Sequence, residues 1–268
     1  YSRSALLKAR VVAEKAREIG TRCTILDSRE VIELEPALAS ISSSLVGGIH
    51  YPDDVSGDAY QFCKSLASRC REAGITIYEN TKVDRILTLG RKFDGLSIGG
   101  EVVRGEVCVI AAGCGSKQLL KETGIRLPVE PVKGYSITLP MSGWKRVPKI
   151  PVIDELRHAA VCPLGSKLRV AGTAEFAGYN SNMTRGRIEN LFNVCRSLYP
   201  FGGLPENMEG ASPWAGFRPM TPDGVGIVSG TCVDGLYVNT GHGHLGWTMA
   251  SGSAKIISDL IEKKKNNA

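Results

Sequence analysis

Gly241-His242-Gly243-His244-Leu245-Gly246 is the most distinctive motif of the sequence. It has G-x-G-x-x-G spacing and lies between a predicted strand, residues 236–239, and a predicted helix, residues 247–261. Glycines let the backbone approach a ligand closely, and the free N–H groups of a helix N-terminus favour negative charge. The stretch therefore predicts a strand–loop–helix unit whose loop faces an electron-rich group.

This loop carries only part of the dinucleotide-binding fingerprint. The full fingerprint needs a second strand and an acidic residue about 20 residues further on. The sequence ends 22 residues after Gly246, and Asp259 falls inside the predicted helix. We therefore expect a glycine-rich helix N-terminus rather than a pyrophosphate site.

The two histidines of the loop allow a second interpretation, a His-x-His metal pair formed by His242 and His244. The sequence has only two other histidines, His50 and His158, and no third ligand at a plausible spacing. We therefore expect no metal site. The preferred interpretation is a loop that binds through its backbone, with the histidines filling space near a ligand.

Composition and charge argue against a collagen, a nucleic-acid-binding protein and a membrane-spanning protein. The 268 residues include 31 glycines, well above the usual share of about 7%, and they show no collagen-like period. The net charge of +6 comes from scattered basic residues, and we interpret the densest run, Lys263-Lys264-Lys265, as a solvated helix end. We expect neither a nucleic-acid partner nor a transmembrane segment, since the apolar runs are too short.

The eight cysteines indicate a reducing compartment. They form no CxxC pair and no spacing typical of a metal site. No signal peptide precedes the first predicted helix. We therefore expect the protein to be cytoplasmic, or peripheral to a membrane on its cytoplasmic side, and not secreted.

The hydrophobic pattern predicts helices first and then runs of strands. Residues 4–19 and 58–74 have helical periodicity, Asp27 and Glu30 resemble a capping box, and residues 47–54 indicate a loop. A helix face also extends from Ile188 to Tyr199. The β-type runs are residues 75–78, 83–89, 96–98, 101–104, 107–112, 135–139, 159–162 and 168–171. This order predicts an α+β fold with a β–α unit near the C-terminus.

A second cluster, residues 214–224, places Arg218 among aromatic residues and prolines. Pro219 and Pro222 stiffen this segment, and Asp223-Gly224 turns it. A guanidinium on a rigid backbone suits a bidentate grip on a carboxylate. A structural ion pair is the alternative, and residue type alone does not separate the two.

Together these segments resemble the flavin-dependent D-amino-acid oxidase superfamily, most closely its D-amino-acid dehydrogenases. The resemblance runs in order through nearly the whole chain. Its most specific segments are residues 214–224 and GHGHLGWTMASGS at 241–253. The others are Gly47-Gly48-Ile49, Ser56-Gly57-Asp58-Ala59, VCVIAAGCGS at 107–116, PVKGYSITL at 131–139 and Gly172-Thr173-Ala174-Glu175.

The resemblance implies a partial FAD-binding α/β domain interleaved with an antiparallel-sheet substrate domain. Residues 1–75 would be a helical segment linking to the FAD domain, and residues 76–130 a part of that domain. Residues 131–212 would form the substrate domain. Residues 213–268 would carry the arginine segment and the last strand–loop–helix unit of the FAD domain.

The resemblance also implies roles for individual residues. Val83 would contact the flavin nucleotide through its backbone, and Arg218 would bind the substrate carboxylate. The catalytic candidates are Arg218 and His244, but no general base is nominated, because an amine that binds neutral needs none. The residues expected to bind FAD are Val83, Ala112, Gly113, Gly241, Gly243, His244, Leu245, Gly246, Trp247 and Thr248.

The expected reaction is hydride transfer from Cα of a D-amino acid to flavin N5, followed by hydrolysis to a 2-oxo acid and ammonia. The electron acceptor, whether a quinone, another carrier or O₂, stays open, as does the oligomeric state. Glycine, sarcosine and other secondary amines are alternative substrates, because similar scaffolds serve them.

One departure from the family pattern concerns the start of the sequence. Such proteins begin with a βαβ unit that carries its own G-x-G-x-x-G, and residues 1–47 contain none. We therefore expect Tyr1 to be a cut edge and the chain to be the C-terminal portion of a longer protein. The alternative function is a non-catalytic fragment that needs the missing FAD-binding unit.

Overall fold

The computed structural model describes residues 3–200, 203–204 and 208–266 and contains both helices and sheets. Tyr1 lies outside the described residues. The helices are α1 (Arg3–Glu18), α2 (Ser28–Leu34), α3 (Ala59–Glu72), α4 (Ser116–Leu120), α5 (Arg185–Leu198) and α6 (Gly246–Asn266). The strands are β1 (Thr24–Asp27), β2 (Gly47–His50), β3 (Arg85–Leu89), β4 (Lys92–Ile98), β5 (Glu101–Arg104), β6 (Cys108–Ile110), β7 (Glu130–Pro140), β8 (Val152–Asp154), β9 (Ala159–Leu164), β10 (Lys167–Glu175), β11 (Ser212–Met220), β12 (Ile227–Gly230) and β13 (Leu236–Thr240). The predicted α+β class is confirmed.

The strands form four sheets. The largest has five strands in the order β11-β7-β10-β9-β8, and its pairs β8–β9 and β9–β10 are antiparallel. A meander joins β3, β4 and β5. In the third sheet, β13 lies between β12 and β6, antiparallel to β12 and parallel to β6. The strands β1 and β2 form an antiparallel pair.

The chain divides into two compact units, each with its own core. The first comprises Tyr1–Asp58, Tyr135–Thr173 and Asn182–Ala215. Its core packs the apolar face of α5 against strands such as β10, whose residues alternate between buried and half-buried positions. The buried members of this core include Tyr135, Ile137, Leu139, Val161, Leu168, Leu191, Phe192 and Tyr199.

A buried carboxylate also stabilises this unit. The side chain of Glu35 is completely buried. Its carboxylate accepts hydrogen bonds from the backbone N–H groups of Ala37 (3.0 Å), Lys149 (2.7 Å) and Ile150 (2.9 Å). Because buried backbone donors need partners, Glu35 fixes the 3₁₀ turn that begins at Pro36 to the loop before β8.

The second unit comprises Ala59–Gly134, Ala174–Ser181 and Gly216–Ala268. Its core lies under the meander and the β12-β13-β6 sheet. The buried members are Ile86, Phe93, Ile110, Leu120, Leu127, Val129, Val233, Leu236 and Val238. Every residue that the sequence nominates for binding or catalysis belongs to this unit.

Several local predictions agree with the structure. The helix predicted over residues 4–19 is α1 (Arg3–Glu18), and the face predicted from Ile188 to Tyr199 lies on α5 (Arg185–Leu198) and its C-cap. Asp27 and Glu30 make a reciprocal capping box at α2. Gly74 ends α3 with a φ of 83°, as expected for a glycine that terminates a helix.

Other local predictions were wrong. Residues 47–50 form β2 rather than part of a loop, because Gly47 and Gly48 pair with Asp27 and Leu26 of β1, a long-range contact that local turn signals do not reveal. Residues 75–78 form no strand, and among the described residues no neighbouring strand pairs with them. The hydrophobic pattern also missed a strand in the arginine segment, where residues 214–220 belong to β11.

No helix in the described ranges combines the length and the apolar character that crossing a bilayer requires.

Candidate active site

The glycine-rich loop makes a tight turn between β13 and α6. Gly241 has a φ of 80° and Gly243 a φ of 54°, values that other residue types adopt only under strain. A Cβ atom at Gly241 would lie 2.8 Å from Cγ2 of Thr221, and one at Gly243 would lie 2.6 Å from Sδ of Met220. Both positions therefore require glycine for backbone conformation and for close packing.

The end of β11 is joined to this loop. The N–H of Gly243 donates to the carbonyl of Pro219 at 2.9 Å, and Met220 forms an antiparallel bridge with His242. Arg218 immediately precedes this contact. The strand that carries the arginine is therefore joined directly to the glycine loop. The two separate sequence motifs did not reveal this connection.

The turn after β6 reaches the same region. Because β6 and β13 are parallel, their C-terminal ends meet at one edge of the sheet. Thr240, the last residue of β13, is buried and donates from Oγ1 to the carbonyl of Gly113 at 3.0 Å. Ala112, just before it, is exposed. Ala112 and Gly113 therefore lie beside the glycine loop.

Arg218 is half-buried on β11. Burial lowers the pKa of its guanidinium, because desolvation disfavours the charged form. An arginine keeps its proton at neutral pH even so. A partly desolvated cation on a strand gains most from an anion with a matching planar shape, and a carboxylate has that shape.

The first turn of α6 forms the other side of the loop. Leu245 donates its N–H to the carbonyl of His242 at 3.0 Å, and the helical ladder starts with Met249 N–H to Leu245 carbonyl at 2.9 Å. His244 and Thr248 are exposed, and 44% of Leu245 and 45% of Trp247 is exposed. This end of the helix therefore combines backbone N–H groups with an apolar surface.

The two histidines of the loop differ in their environments. His244 is exposed, whereas Nε2 of His242 is buried and has no hydrogen-bond partner within the described part of the chain. The His242 ring packs so closely on Gly226 that a Cβ there would lie 2.6 Å from Cδ2. In the described ranges, no three His, Cys, Asp or Glu side chains are grouped as metal ligands would be.

Val83 is the nominated residue that precedes the meander of β3, β4 and β5. It is half-buried and precedes β3, and the next residue, Asp84, donates its N–H to Ser97 at 2.9 Å, continuing the pairing with β4. Its role stays a prediction.

Sequence reasoning missed several contacts of the site. Met220 contacts Gly243 of the loop, and Thr240 contacts Gly113 of the turn after β6. Neither a methionine nor a threonine next to glycines forms a recognisable sequence motif. Gly134 lies against Arg218, and the preceding Lys133 is buried in an ion pair with Glu175. The segments PVKGYSITL and Gly172-Thr173-Ala174-Glu175 contain these residues, and their spacing alone suggests no contact.

The chain is similar to several known proteins in sequence and fold. The chain is 42% identical over 243 residues to a D-amino acid dehydrogenase of Methylobacterium radiotolerans, covering 90% of the chain and 57% of that protein. It is 40% identical over 242 residues to a D-amino acid dehydrogenase of Vibrio cholerae, with the same coverage. The crystal structure of glycine oxidase from Geobacillus kaustophilus matches with a TM-score of 0.86 and 25% identity, covering 98% of the chain and 69% of that structure.

The chain thus spans a little more than half the length of the curated relatives it matches. The model of the DAO family, described as FAD dependent oxidoreductase, matches residues 2–260. This protein chain belongs to the DAO family of FAD-dependent oxidoreductases.

Proposed function

We propose that the chain is part of an FAD-dependent enzyme that oxidatively deaminates D-amino acids to 2-oxo acids and ammonia. Membership of the family and two relatives named D-amino acid dehydrogenase support the reaction class. The observation that carries the proposal is the hydrogen bond from Gly243 to Pro219, because it joins the glycine loop to the strand of Arg218.

The residues of the loop fit a flavin ring. A flat ring with carbonyl and nitrogen acceptors needs apolar contact on its face and N–H donors at its edge. Leu245 and Trp247 offer exposed apolar surface, and the first turn of α6 offers N–H groups whose partial positive charge favours an electron-rich ligand. FAD, when bound, supplies the acceptor for the two electrons removed from the substrate.

Arg218 holds the substrate by its carboxylate in this proposal. The guanidinium has five N–H donors in one plane, and two of them match the two oxygens of a carboxylate. Fixing the carboxylate restricts the amino acid to orientations in which Cα–H faces the flavin. Such orientation lowers a reaction barrier by several kcal/mol, up to about 7–11 in favourable systems.

The reaction balances without a further cofactor. The Cα–H bond breaks with its electron pair, the amine loses a proton, and a C=N bond forms. Water then adds to the imino acid and releases ammonia and a 2-oxo acid. We assign no general base, since an amine that binds neutral loses its proton to solvent after oxidation. His244 is proposed to contact the flavin edge from the exposed side of the loop.

Ala112, Gly113, Gly241, Gly243, Gly246 and Thr248 are proposed to complete the flavin contacts, together with the backbone of Val83. We propose further that residues 76–130 and 213–268 contribute to FAD binding and that residues 131–212 build most of the substrate domain. The electron acceptor is proposed to be a quinone, another carrier or O₂, and the protein to be cytoplasmic or peripheral to the cytoplasmic side of a membrane.

The test is a substrate panel with the FAD-loaded protein. D-alanine, L-alanine, glycine and sarcosine are supplied in turn, and bleaching of the flavin absorbance is followed under anaerobic conditions. The proposal expects the fastest bleaching with D-alanine. Equal rates with both alanine enantiomers, or no bleaching with either, would contradict it.

A second candidate is oxidation of glycine or a secondary amine. It is favoured by the match to glycine oxidase from Geobacillus kaustophilus. The same panel separates the two candidates, because this alternative expects glycine or sarcosine to bleach the flavin faster than D-alanine does.

The remaining alternative is a chain that does not hold FAD by itself. Its support is that the sequence contains a single G-x-G-x-x-G, which lacks the acidic residue of the dinucleotide fingerprint. The visible spectrum of the purified 268-residue chain tests it. A yellow protein with flavin bands argues against this alternative, and a colourless one supports it.

A further inference from the structure

Gly134 and Arg218 lie on neighbouring strands, β7 and β11. A Cβ atom at Gly134 would lie 2.5 Å from each of three guanidinium atoms of Arg218, namely Cζ, Nη1 and Nη2. A point that is equally far from all three atoms, and farther than a bonded distance, lies over the face of the planar group. The guanidinium therefore lies flat on the backbone of Gly134.

This contact orients the arginine without using its hydrogen bonds. All five N–H donors of a guanidinium point outward within its plane. Packing one face of the guanidinium against Gly134 fixes the orientation of its plane. Because the donors lie in that plane, the contact also limits the directions in which they point. Every other residue type would place a Cβ in this space and push the guanidinium away, so glycine is required here for an approach and not for a turn.

The strand under this contact is itself anchored. Successive side chains of a strand point to opposite faces, so Lys133 projects away from the Arg218 side of β7. Lys133 is almost completely buried, and its Nζ lies 3.0 Å from the carboxylate of Glu175 and donates to the carbonyl of Asn180 at 3.0 Å. Removing one partner of such a buried pair is costly, which keeps the backbone beside Gly134 in place.

We propose that Gly134 is a positioning residue for Arg218. Its missing side chain forms a flat seat that holds the guanidinium plane in the orientation needed for a two-point grip on a carboxylate. This inference rests on the proposed function, in which Arg218 binds the substrate carboxylate.

The test measures carboxylate binding directly, with propionate as the probe. Its dissociation constant is determined by isothermal titration calorimetry on the FAD-loaded protein. Gly134→Ala is expected to weaken propionate binding by on the order of 10- to 100-fold, the loss that follows when one charge-assisted hydrogen bond of the two-point grip is not made. In an Arg218→Ala background, Gly134→Ala is expected to cause no further loss, because the seat acts only through the arginine.

Two matched glycine variants control for steric damage. In Gly95→Ala, the new Cβ would lie 2.7 Å from the backbone carbonyl oxygen of Val103 in the β4–β5 hairpin, a conflict that is harder to relieve than one with the flexible tip of Arg218. In Gly186→Ala, no atom lies within 4 Å of the new Cβ. Both are expected to bind propionate as the parent protein does.

The outcomes separate this inference from the proposed function. Full propionate affinity in Arg218→Ala would overturn the proposed function. A large loss in Arg218→Ala with none in Gly134→Ala would overturn only the seat, as would a loss in Gly95→Ala as large as that in Gly134→Ala. If Gly134→Ala fails to fold, Arg218→Lys is measured instead. That variant keeps the charge without the plane, and undiminished affinity in it would overturn the inference.

Discussion

Gly241→Ala tests the packing of the glycine loop in two separable parts. The first part is backbone strain, because a φ of 80° costs other residue types about 1–2 kcal/mol. The second is overpacking, because the new Cβ would lie 2.8 Å from Cγ2 of Thr221, and such conflicts cost about 1–3 kcal/mol. The variant should therefore lose about 2–5 kcal/mol of unfolding free energy, measured by urea denaturation.

Two further variants separate these parts. Gly224→Ala introduces a Cβ at a φ of 74° with no atom within 4 Å, so it should show the strain alone. Thr221→Ser deletes Cγ2 and keeps the hydroxyl, which donates to the carbonyl of Val225 at 3.0 Å. In this background, Gly241→Ala should cost only as much as Gly224→Ala. Equal losses for Gly241→Ala and Gly224→Ala in the parent protein would refute the close approach, as would an unchanged loss in the Thr221→Ser background.

Three other predictions concern stability and thiol chemistry. Glu35→Gln should lower the unfolding free energy by about 1–3 kcal/mol, because the amide keeps one accepting oxygen and its NH2 leaves at least one of the three backbone donors without an acceptor, whereas the exposed control Glu33→Gln should change it by less than about 0.5 kcal/mol; equal urea midpoints for the two would contradict this. Thr240→Val should cost about 1–2 kcal/mol through the lost hydrogen bond to Gly113, with Thr240→Ser as the variant that retains it; equal stability of the two variants would count against that bond. Burial raises the pKa of the Cys195 thiol to about 12, so its contribution to stability should be complete below pH about 8.5 and decrease as the pH rises toward 12. In Cys195→Ala, the urea midpoint should therefore decrease less between about pH 8.5 and 12 than it does in the parent protein. A thiol reagent at pH 8 should modify the exposed Cys63 and Cys232 before the buried Cys195.

Periodicity and local signals predicted much of the fold. Charged and apolar residues alternate at helical spacing in α1 and α5, and the capping box at Asp27 and Glu30 depends on residues three apart. Such features lie within one turn of a helix, so the sequence reveals them directly. The errors came from pairing across the chain. Whether residues 47–50 or 75–78 form strands depends on a partner strand elsewhere, and no local pattern carries that information.

The candidate site shows the same division. The G-x-G-x-x-G spacing located the loop, and residue type singled out Arg218. Their connection through Pro219 and Gly243 is a tertiary contact between segments about 24 residues apart, and the seat on Gly134 joins two residues more than 80 positions apart in the sequence. Glycine leaves no chemical signature in sequence for such an approach, since it serves turns equally well.

Carboxylate binding by Arg218 is tested by removing the carboxylate from the substrate and the guanidinium from the protein in turn. The value of kcat/KM is measured for D-alanine and for D-alaninamide, with the FAD-loaded parent protein and its Arg218→Ala variant. If Arg218 binds the carboxylate, the variant should lose about 30-fold or more with D-alanine, which corresponds to 2 kcal/mol or more for a buried charge pair. It should lose little with D-alaninamide. An equal loss with both substrates, or near-normal kinetics with D-alanine, would contradict the claim.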